Sequence, residues 1–157
     1  MKMSDDEEIL LRKILVPLDG SEWSFRAAAK YAIKIAKMAN TEIVCVHALV
    51  SLPSTAYANV HAGVLIPRYM EEAKKEVQKW YDEVSVIAKK AGVVRLSAET
   101  ILDVSSVADA IITYAERSNV DLIVIGTKGR TGLKKFVLGS VASGVISHAK
   151  CPVLVVR

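Results

Sequence analysis

The hydrophobic residues of this chain change their spacing several times, and each change marks a different kind of element. Continuous apolar runs occur at Arg12–Leu18, Glu42–Leu49, Asp121–Ile125 and Pro152–Val156. Runs of about four to eight apolar residues are typical of strands buried on both faces. Residues 95–102 instead alternate between apolar and polar positions, which indicates a half-exposed strand. The pattern therefore predicts five strands.

Helical spacing separates the first strand from the second. From Trp23 onwards apolar residues recur every three or four positions, and the segment ends near Asn40. Ser21 stands where an N-cap residue is expected, and Glu22 follows it at a position that favours the positive end of the helix dipole. We expect a helix between these two ends.

Three more helices follow from the same pattern. Residues 68–91 have a strongly amphipathic period, and Gly92 is well placed to terminate that helix. Ser106 and Asp109 resemble a capping box that opens a helix extending to Arg117. Residues 140–149 form the last helical stretch, whereas residues 51–67 lack periodicity and contain two prolines, which predicts a loop.

The alternation of strands and helices predicts an α/β fold with a mainly parallel sheet. In open sheets of this kind, ligands bind beyond the carboxyl ends of the strands, where the strand order reverses. Two such ends are rich in candidate residues, namely Pro17–Asp19 after the first strand and Gly126 after the fourth. If both ends flank the reversal, they form one pocket.

Composition is that of a single globular domain. The chain has 157 residues, of which 52% are hydrophobic and 24% are charged. We assign residues 1–11 to an acidic N-terminal tail and residues 12–157 to one domain. No apolar stretch approaches the roughly 20 residues of a membrane span, and no signal-peptide pattern is present, so we expect a cytoplasmic protein. Cys45 and Cys151 lack zinc-site spacing and are expected to be structural.

Charge is distributed unevenly. The net charge is +4, but the last 36 residues contain no acidic side chain and carry +6. Four of these cations, Lys128, Arg130, Lys134 and Lys135, lie in one loop, which favours an anionic ligand. Nucleic acid is an unfavoured alternative, because Phe136 is the one aromatic residue among these charges and stacking platforms are missing.

That loop is also rich in glycine, since five of the eight glycines fall between Gly126 and Gly144. A glycine-rich loop between a strand and a helix exposes backbone N–H groups, and the helix N-terminus favours negative charge. We expect the amides of Gly139, Ser140 and Val141 and the Ser140 hydroxyl to bind phosphate. The loop matches neither the Walker A nor the GxGxxG pattern. The alternative is that its glycines only permit tight turns and close packing of a helix on the sheet.

Other polar residues leave alternatives open. Asp19 could bond ribose or adenine groups, or share a Mg²⁺ with phosphates, or cap the following helix, and these roles are compatible. Lys134 and Lys135 are either solvated charges or close over a terminal phosphate. His47, His148, Trp80 and Tyr81 are interpreted as structural, and the role of His61 is not defined by its context.

The spacing Gly126-x2-Gly129-x9-Gly139-Ser140 resembles the ATP-binding signature of the universal stress protein family. The segments Ile14–Ser21 and Cys151–Arg157 are similar to that family's first and last strands. The resemblance implies an adenine nucleotide alpha hydrolase-like fold, with an open five-stranded parallel sheet of order 3-2-1-4-5 and helices on both faces. It also implies ATP or AMP as ligand, and a homodimer formed through the C-terminal strand.

Carried over by position, the resemblance places Ala48 at the adenine and the glycine-rich loop at the ribose and phosphates. The candidate nucleotide-binding residues are Pro17, Leu18, Asp19, Ala48, Gly126, Thr127, Lys128, Gly129, Arg130, Gly139, Ser140 and Val141.

A binding role is favoured over catalysis. The sequence contains no recognisable nucleophile–base pair, and backbone amides that bind ground state and transition state alike do not accelerate a reaction. We therefore expect a dimeric, nucleotide-responsive stress protein. The alternatives are a slow Mg²⁺-dependent ATP hydrolase that uses Asp19, and a scaffold that works without nucleotide.

Overall fold

The computed structural model describes residues 11–50, 62–128 and 138–157. All five predicted strands are present, and all neighbouring pairs are parallel, in the order β3-β2-β1-β4-β5. The strands are β1 (Lys13–Pro17), β2 (Glu42–Val50), β3 (Leu96–Val104), β4 (Leu122–Gly126) and β5 (Val153–Val156). The predicted fold class is confirmed.

Helices cover both faces of this sheet. They are α1 (Glu22–Arg26), a π-helical segment (Ala27–Ala32), α2 (Ile33–Ala39), α3 (Ala62–Ala91), α4 (Val107–Arg117) and α5 (Ser140–His148). The first three are continuous along the chain. The Ser21 side chain caps α1 by accepting a hydrogen bond from the Ser24 amide, and Asn40 ends α2 in the left-handed conformation with φ 51°.

Helix α3 begins earlier than the sequence predicted. Residues 62–67, which we expected to be part of a loop, belong to it, and Pro67 lies inside the helix. Proline has no N–H to donate to the helix ladder, and the Pro67 side chain is exposed on the helix surface. Although α3 has 30 residues, no helix in the described part of the chain is long and apolar enough to cross a membrane.

The end of α3 follows the prediction. Gly92 has a positive φ of 85°, which glycine adopts without steric cost. Its amide donates to the Lys89 carbonyl, and the Val93 amide donates to the Ala88 carbonyl, at 3.0 and 2.9 Å. These two bonds form a Schellman motif, which satisfies carbonyls that the helix would otherwise leave without a partner.

The core has two layers, one on each face of the sheet. Alternate strand residues supply them, so Ile14 and Val16 lie on one face and Leu15 on the other. The first layer packs against the α1–α2 segment and α3, where Ala27, Ala28 and Ala32 let the helix backbone approach closely. The second layer packs against α4 and α5. The cavity described below opens from this second layer.

Candidate functional site

A cavity lies at the point where the strand order reverses. Strands β1 and β4 are neighbours, yet the chain leaves them towards opposite faces. They pair near their amino ends, Ile14 with Leu122 and Leu15 with Ile123. Beyond the carboxyl ends is a cavity of about 470 Å³. Its lining consists of Pro17, Leu18, Asp19, Ser24, Val46, His47, Ala48, Val50, Val107, Ile111, Ile125, Gly126, Thr127, Lys128, Gly139, Ser140, Val141 and Ala142.

The lining contains every predicted site residue that the structure describes. Gly129 and Arg130, which the sequence also suggested, lie outside the described residues, as do Lys134, Lys135, His61 and residues 1–10 of the acidic tail. The two ends that were expected to form one pocket, Pro17–Asp19 and Gly126, do lie against the same cavity.

One side of the cavity is apolar. Val46, Ala48 and Val50 come from β2, and their spacing of two places their side chains on the face that carries α4. Val107 and Ile111 of α4 complete this wall. The ladder between β2 and β3 shifts register between Ala48 and Val50, so pairing is irregular where the wall ends. Such a surface suits a flat, largely apolar group.

The opposite side is the N-terminus of α5. The N-cap is Gly139, which has no side chain to satisfy the first amides of the helix. Ser140, Val141 and Ala142 therefore expose N–H groups that have no acceptor within the described chain. Together with the helix dipole, three such donors are chemically suited to an anion.

The expected role of the Gly139 amide is wrong. It donates to the Thr127 carbonyl at 2.8 Å and is unavailable to a ligand. Its backbone angles, φ −61° and ψ 151°, are also open to any residue, so this position does not require glycine on conformational grounds. The third amide without an acceptor among the described residues is instead that of Ala142, which the sequence analysis did not single out.

Gly126 allows α1 to pack closely against β4. A Cβ added there would lie 2.7 Å from the backbone carbonyl carbon of Trp23. The start of α1 therefore packs directly on the end of β4. The sequence analysis left open whether the glycines serve a ligand or close packing, and at Gly126 the structure shows close packing of a helix on the sheet. The next residue, Thr127, is fixed as well, because its amide donates to the Val156 carbonyl at 2.9 Å.

Asp19 does not itself cap α1, because Ser21 is the N-cap, but it contacts that cap. Its Oδ1 accepts hydrogen bonds from the Ser21 amide at 3.0 Å and the Ser21 hydroxyl at 2.6 Å, so it stabilises the turn that leads into α1. Within the described chain, Oδ2 makes no hydrogen bond, and Asp19 is the one acidic residue of the cavity lining. One carboxylate oxygen thus organises the loop while the other stays available.

The loop after β1 contacts His47 and Trp80, two residues that the sequence analysis interpreted as structural. His47 Nδ1 donates to the Leu18 carbonyl at 2.7 Å, since a carbonyl can only accept. The His47 ring meets Trp80 edge-on, with centroids 5.2 Å apart. Gly20, with φ 76°, lies against the same indole, because a Cβ there would be 2.5 Å from the ring. These contacts fix the turn that carries Asp19.

The sequence missed much of the apolar wall. Val46 and Val50 could have been found, because they lie two residues on either side of Ala48 on the same strand face. Val107 and Ile111 could not, because their place in the cavity depends on how α4 packs on the sheet. For Ser24 and His47, nothing in the sequence indicated a place in the cavity lining.

The described residues of the cavity provide few ligands for a metal ion without a nucleotide. Within the described residues, no group of three or more His, Cys, Asp or Glu side chains is arranged to hold one. Asp19 alone could contribute a carboxylate oxygen to a Mg²⁺ whose other ligands came from phosphate and water.

Comparison with known proteins places the chain in a family. The model of the universal stress protein family matches residues 11–157. A universal stress protein of Methanocaldococcus jannaschii is 39% identical over 150 residues, which are 96% of this chain and 84% of the relative. The universal stress protein YxiE of Bacillus subtilis is 36% identical over 155 residues, covering 94% of this chain and 100% of the relative.

A solved structure agrees with these relatives. The crystal structure of a universal stress protein in complex with cAMP superimposes with a TM-score of 0.70 and 25% identity, and the match covers 94% of this chain and 98% of that one. The resemblance drawn from the glycine spacing and the terminal strands is therefore confirmed, and the chain belongs to the universal stress protein family.

Proposed function

We propose that this protein binds an adenine nucleotide, AMP or ATP, in the cavity at the strand reversal. The observation that carries the proposal is an apolar wall on β2 and α4 opposite three amides at the start of α5 that have no acceptor among the described residues. A nucleotide needs both, because its base is flat and largely apolar and its phosphate is an anion. The solved relative with cAMP supports the same ligand class.

In this arrangement the base packs beside Ala48 and Ile111, and the phosphate accepts from the amides of Ser140, Val141 and Ala142. Lys128 adds a positive charge to the phosphate end. The available oxygen of Asp19 accepts from ribose hydroxyls, or contributes to a Mg²⁺ bound with ATP.

We propose a responsive binding protein rather than an enzyme. Backbone amides hold the phosphate of a ground state and of a transition state with similar strength, which does not accelerate hydrolysis. His47, the one histidine in the lining, has its Nδ1 engaged by the Leu18 carbonyl. Multiple turnovers of ATP that Asp19→Asn abolishes would instead support a Mg²⁺-dependent hydrolase.

We further propose that the protein is a homodimer formed through β5. This strand is at the edge of the sheet, and Val153, Leu154 and Val155 are only partly buried in the single chain. The amide of Ile123 donates to the Pro152 carbonyl and that of Thr127 to the Val156 carbonyl, so even-numbered residues of β5 face β4. Val155 therefore turns its backbone outward, where a second copy can pair with it.

Thermal unfolding with and without ligand tests the proposed function. A ligand of the native state raises the melting temperature, and a concentration of 100 times Kd adds about 2.7 kcal/mol, which is about 5 °C or more for a domain of this size. We expect AMP or ATP at millimolar concentration to produce this shift and adenosine a smaller one. No shift with either nucleotide would contradict the proposal and favour a scaffold that works without nucleotide.

A further inference from the structure

The indole of Trp23 has two cations over its ring. The Arg26 guanidinium carbon lies 5.3 Å from the ring centroid, and the Lys128 ammonium lies 5.4 Å from it. Both distances are within the roughly 6 Å at which a cation is attracted by the ring quadrupole. Trp23 belongs to α1, whereas Lys128 follows β4, so this contact joins two elements that are far apart in sequence.

The two cations differ in what else they contact. Arg26 forms an ion pair with Glu22, one helical turn earlier, at 2.5 Å, and is not part of the cavity lining. Lys128 lines the cavity, and none of the ion pairs among the described residues includes it. The charge of Arg26 is therefore offset by a neighbour, whereas no described residue forms an ion pair with Lys128.

The backbone of Trp23 packs closely on β4. Gly126 lets the main chain of Trp23 approach β4 so closely that a Cβ would lie 2.7 Å from it. Lys128 is two residues beyond this contact. This contact determines how close the Trp23 backbone lies to the strand end that leads to Lys128.

From this geometry we infer that Trp23 is a positioning residue for Lys128, which it holds at the phosphate end of the cavity without neutralising it. A carboxylate could also hold the ammonium, but it would cancel the field that attracts an anion. An aromatic ring attracts the cation and leaves its net charge intact. The inference rests on the proposed function, because the charge is useful only if the ligand carries a phosphate.

Calorimetric titration with AMP and with adenosine tests the inference. Lys128→Gln should weaken AMP binding about five- to tenfold and leave adenosine binding unchanged, because only AMP carries the phosphate. Trp23→Leu should weaken AMP binding about two- to fivefold, again without affecting adenosine, and should have no further effect in the Lys128→Gln background. Trp23→Phe, which keeps a ring face, should restore most of the affinity for AMP.

Arg26→Gln is the matched control. It removes the other cation from the same ring but leaves the cavity lining intact, so AMP binding should stay within about twofold of the original protein. A second measurement uses the fluorescence of Trp23 in a Trp80→Phe background, where it is the one remaining tryptophan. Lys128→Gln should change the emission of Trp23 in this background even without ligand, because the adjacent charge is lost.

Four results would overturn the inference. Trp23→Leu could bind AMP as tightly as the original protein. Trp23→Leu could weaken AMP and adenosine equally, which would indicate general damage to the pocket. It could weaken AMP as much in the Lys128→Gln background as in the original protein. Lys128→Gln could also leave the Trp23 emission unchanged. If the unaltered protein binds neither AMP nor adenosine, the proposed function itself fails. That outcome is distinct from the results above, in all of which the unaltered protein binds AMP.

Discussion

Single residues determine how closely the elements of this fold approach one another, and glycine is the clearest case. Gly126 and Gly92 are both at element ends, but for different reasons. At Gly126 an added Cβ would lie 2.7 Å from the Trp23 backbone, whereas at Gly92 it would meet nothing within 4 Å. Gly92 is instead constrained by its φ of 85°.

We therefore predict that Gly126→Ala lowers the free energy of unfolding by about 2 kcal/mol or more, because α1 must move away from β4. Gly92→Ala, the matched control, should cost about 1 kcal/mol, since its strain is partly offset by lower entropy of the unfolded chain. Urea unfolding of both variants measures the difference. An equal or smaller loss for Gly126→Ala would mean that the contact with Trp23 is easily relieved.

At the same scale, the sequence predicts a residue when the reason is local. Ser21 and Ser106 were recognised as helix caps because a cap is defined by its own neighbours, and both side chains accept the expected amide. The Gly139 amide was assigned to the ligand because nothing in the sequence shows that Thr127 accepts from it. That bond exists only after β4 and α5 have come together in the fold.

At the scale of elements, the proposed dimer interface at the outer edge of β5 can be tested by substitution. If this edge pairs with a second copy, Val155→Pro should disrupt the dimer, because proline removes an outward-facing N–H. The substitution leaves the bonds to β4 intact, since residues 152 and 156 form them. Sedimentation should show a dimer for the original protein and for the matched control Val155→Thr, and a monomer for Val155→Pro. A monomeric original protein at micromolar concentration would contradict the proposed interface.

Most element boundaries could be predicted because hydrophobic spacing and terminal residues agree along the chain. The start of α3 could not, because Pro67 ordinarily indicates a helix end and here it lies at an exposed position inside the helix. The register shift between β2 and β3 was also not predicted, since it depends on pairing between strands rather than on either strand alone.

For the whole molecule, the fold brings together residues that are separated by most of the chain. Asp19 follows the first strand and Ser140 opens the last helix, yet both line one cavity. Alternating strands and helices indicate a parallel sheet, and the reversal of strand order then determines where a ligand can bind. The position of the site was therefore predictable, whereas its apolar wall required the packing of α4.

In the proposed complex the backbone amides at the start of α5 bind the phosphate of the nucleotide, and two variants of Ser140 separate the amide from the hydroxyl. Ser140→Pro removes one of these N–H groups at the first helical position, where proline is well tolerated, and the extended conformation of Gly139 suits a following proline. Ser140→Ala, the control, removes the hydroxyl and keeps the amide.

Calorimetric titration of both variants with AMP is the decisive measurement. A hydrogen bond to a charged group contributes about 1.5–3 kcal/mol, so AMP should bind Ser140→Pro at least about tenfold more weakly than Ser140→Ala. Adenosine should bind the two variants equally. If Ser140→Pro binds AMP as tightly as Ser140→Ala while both remain folded, the helix terminus does not hold the phosphate and the account is contradicted.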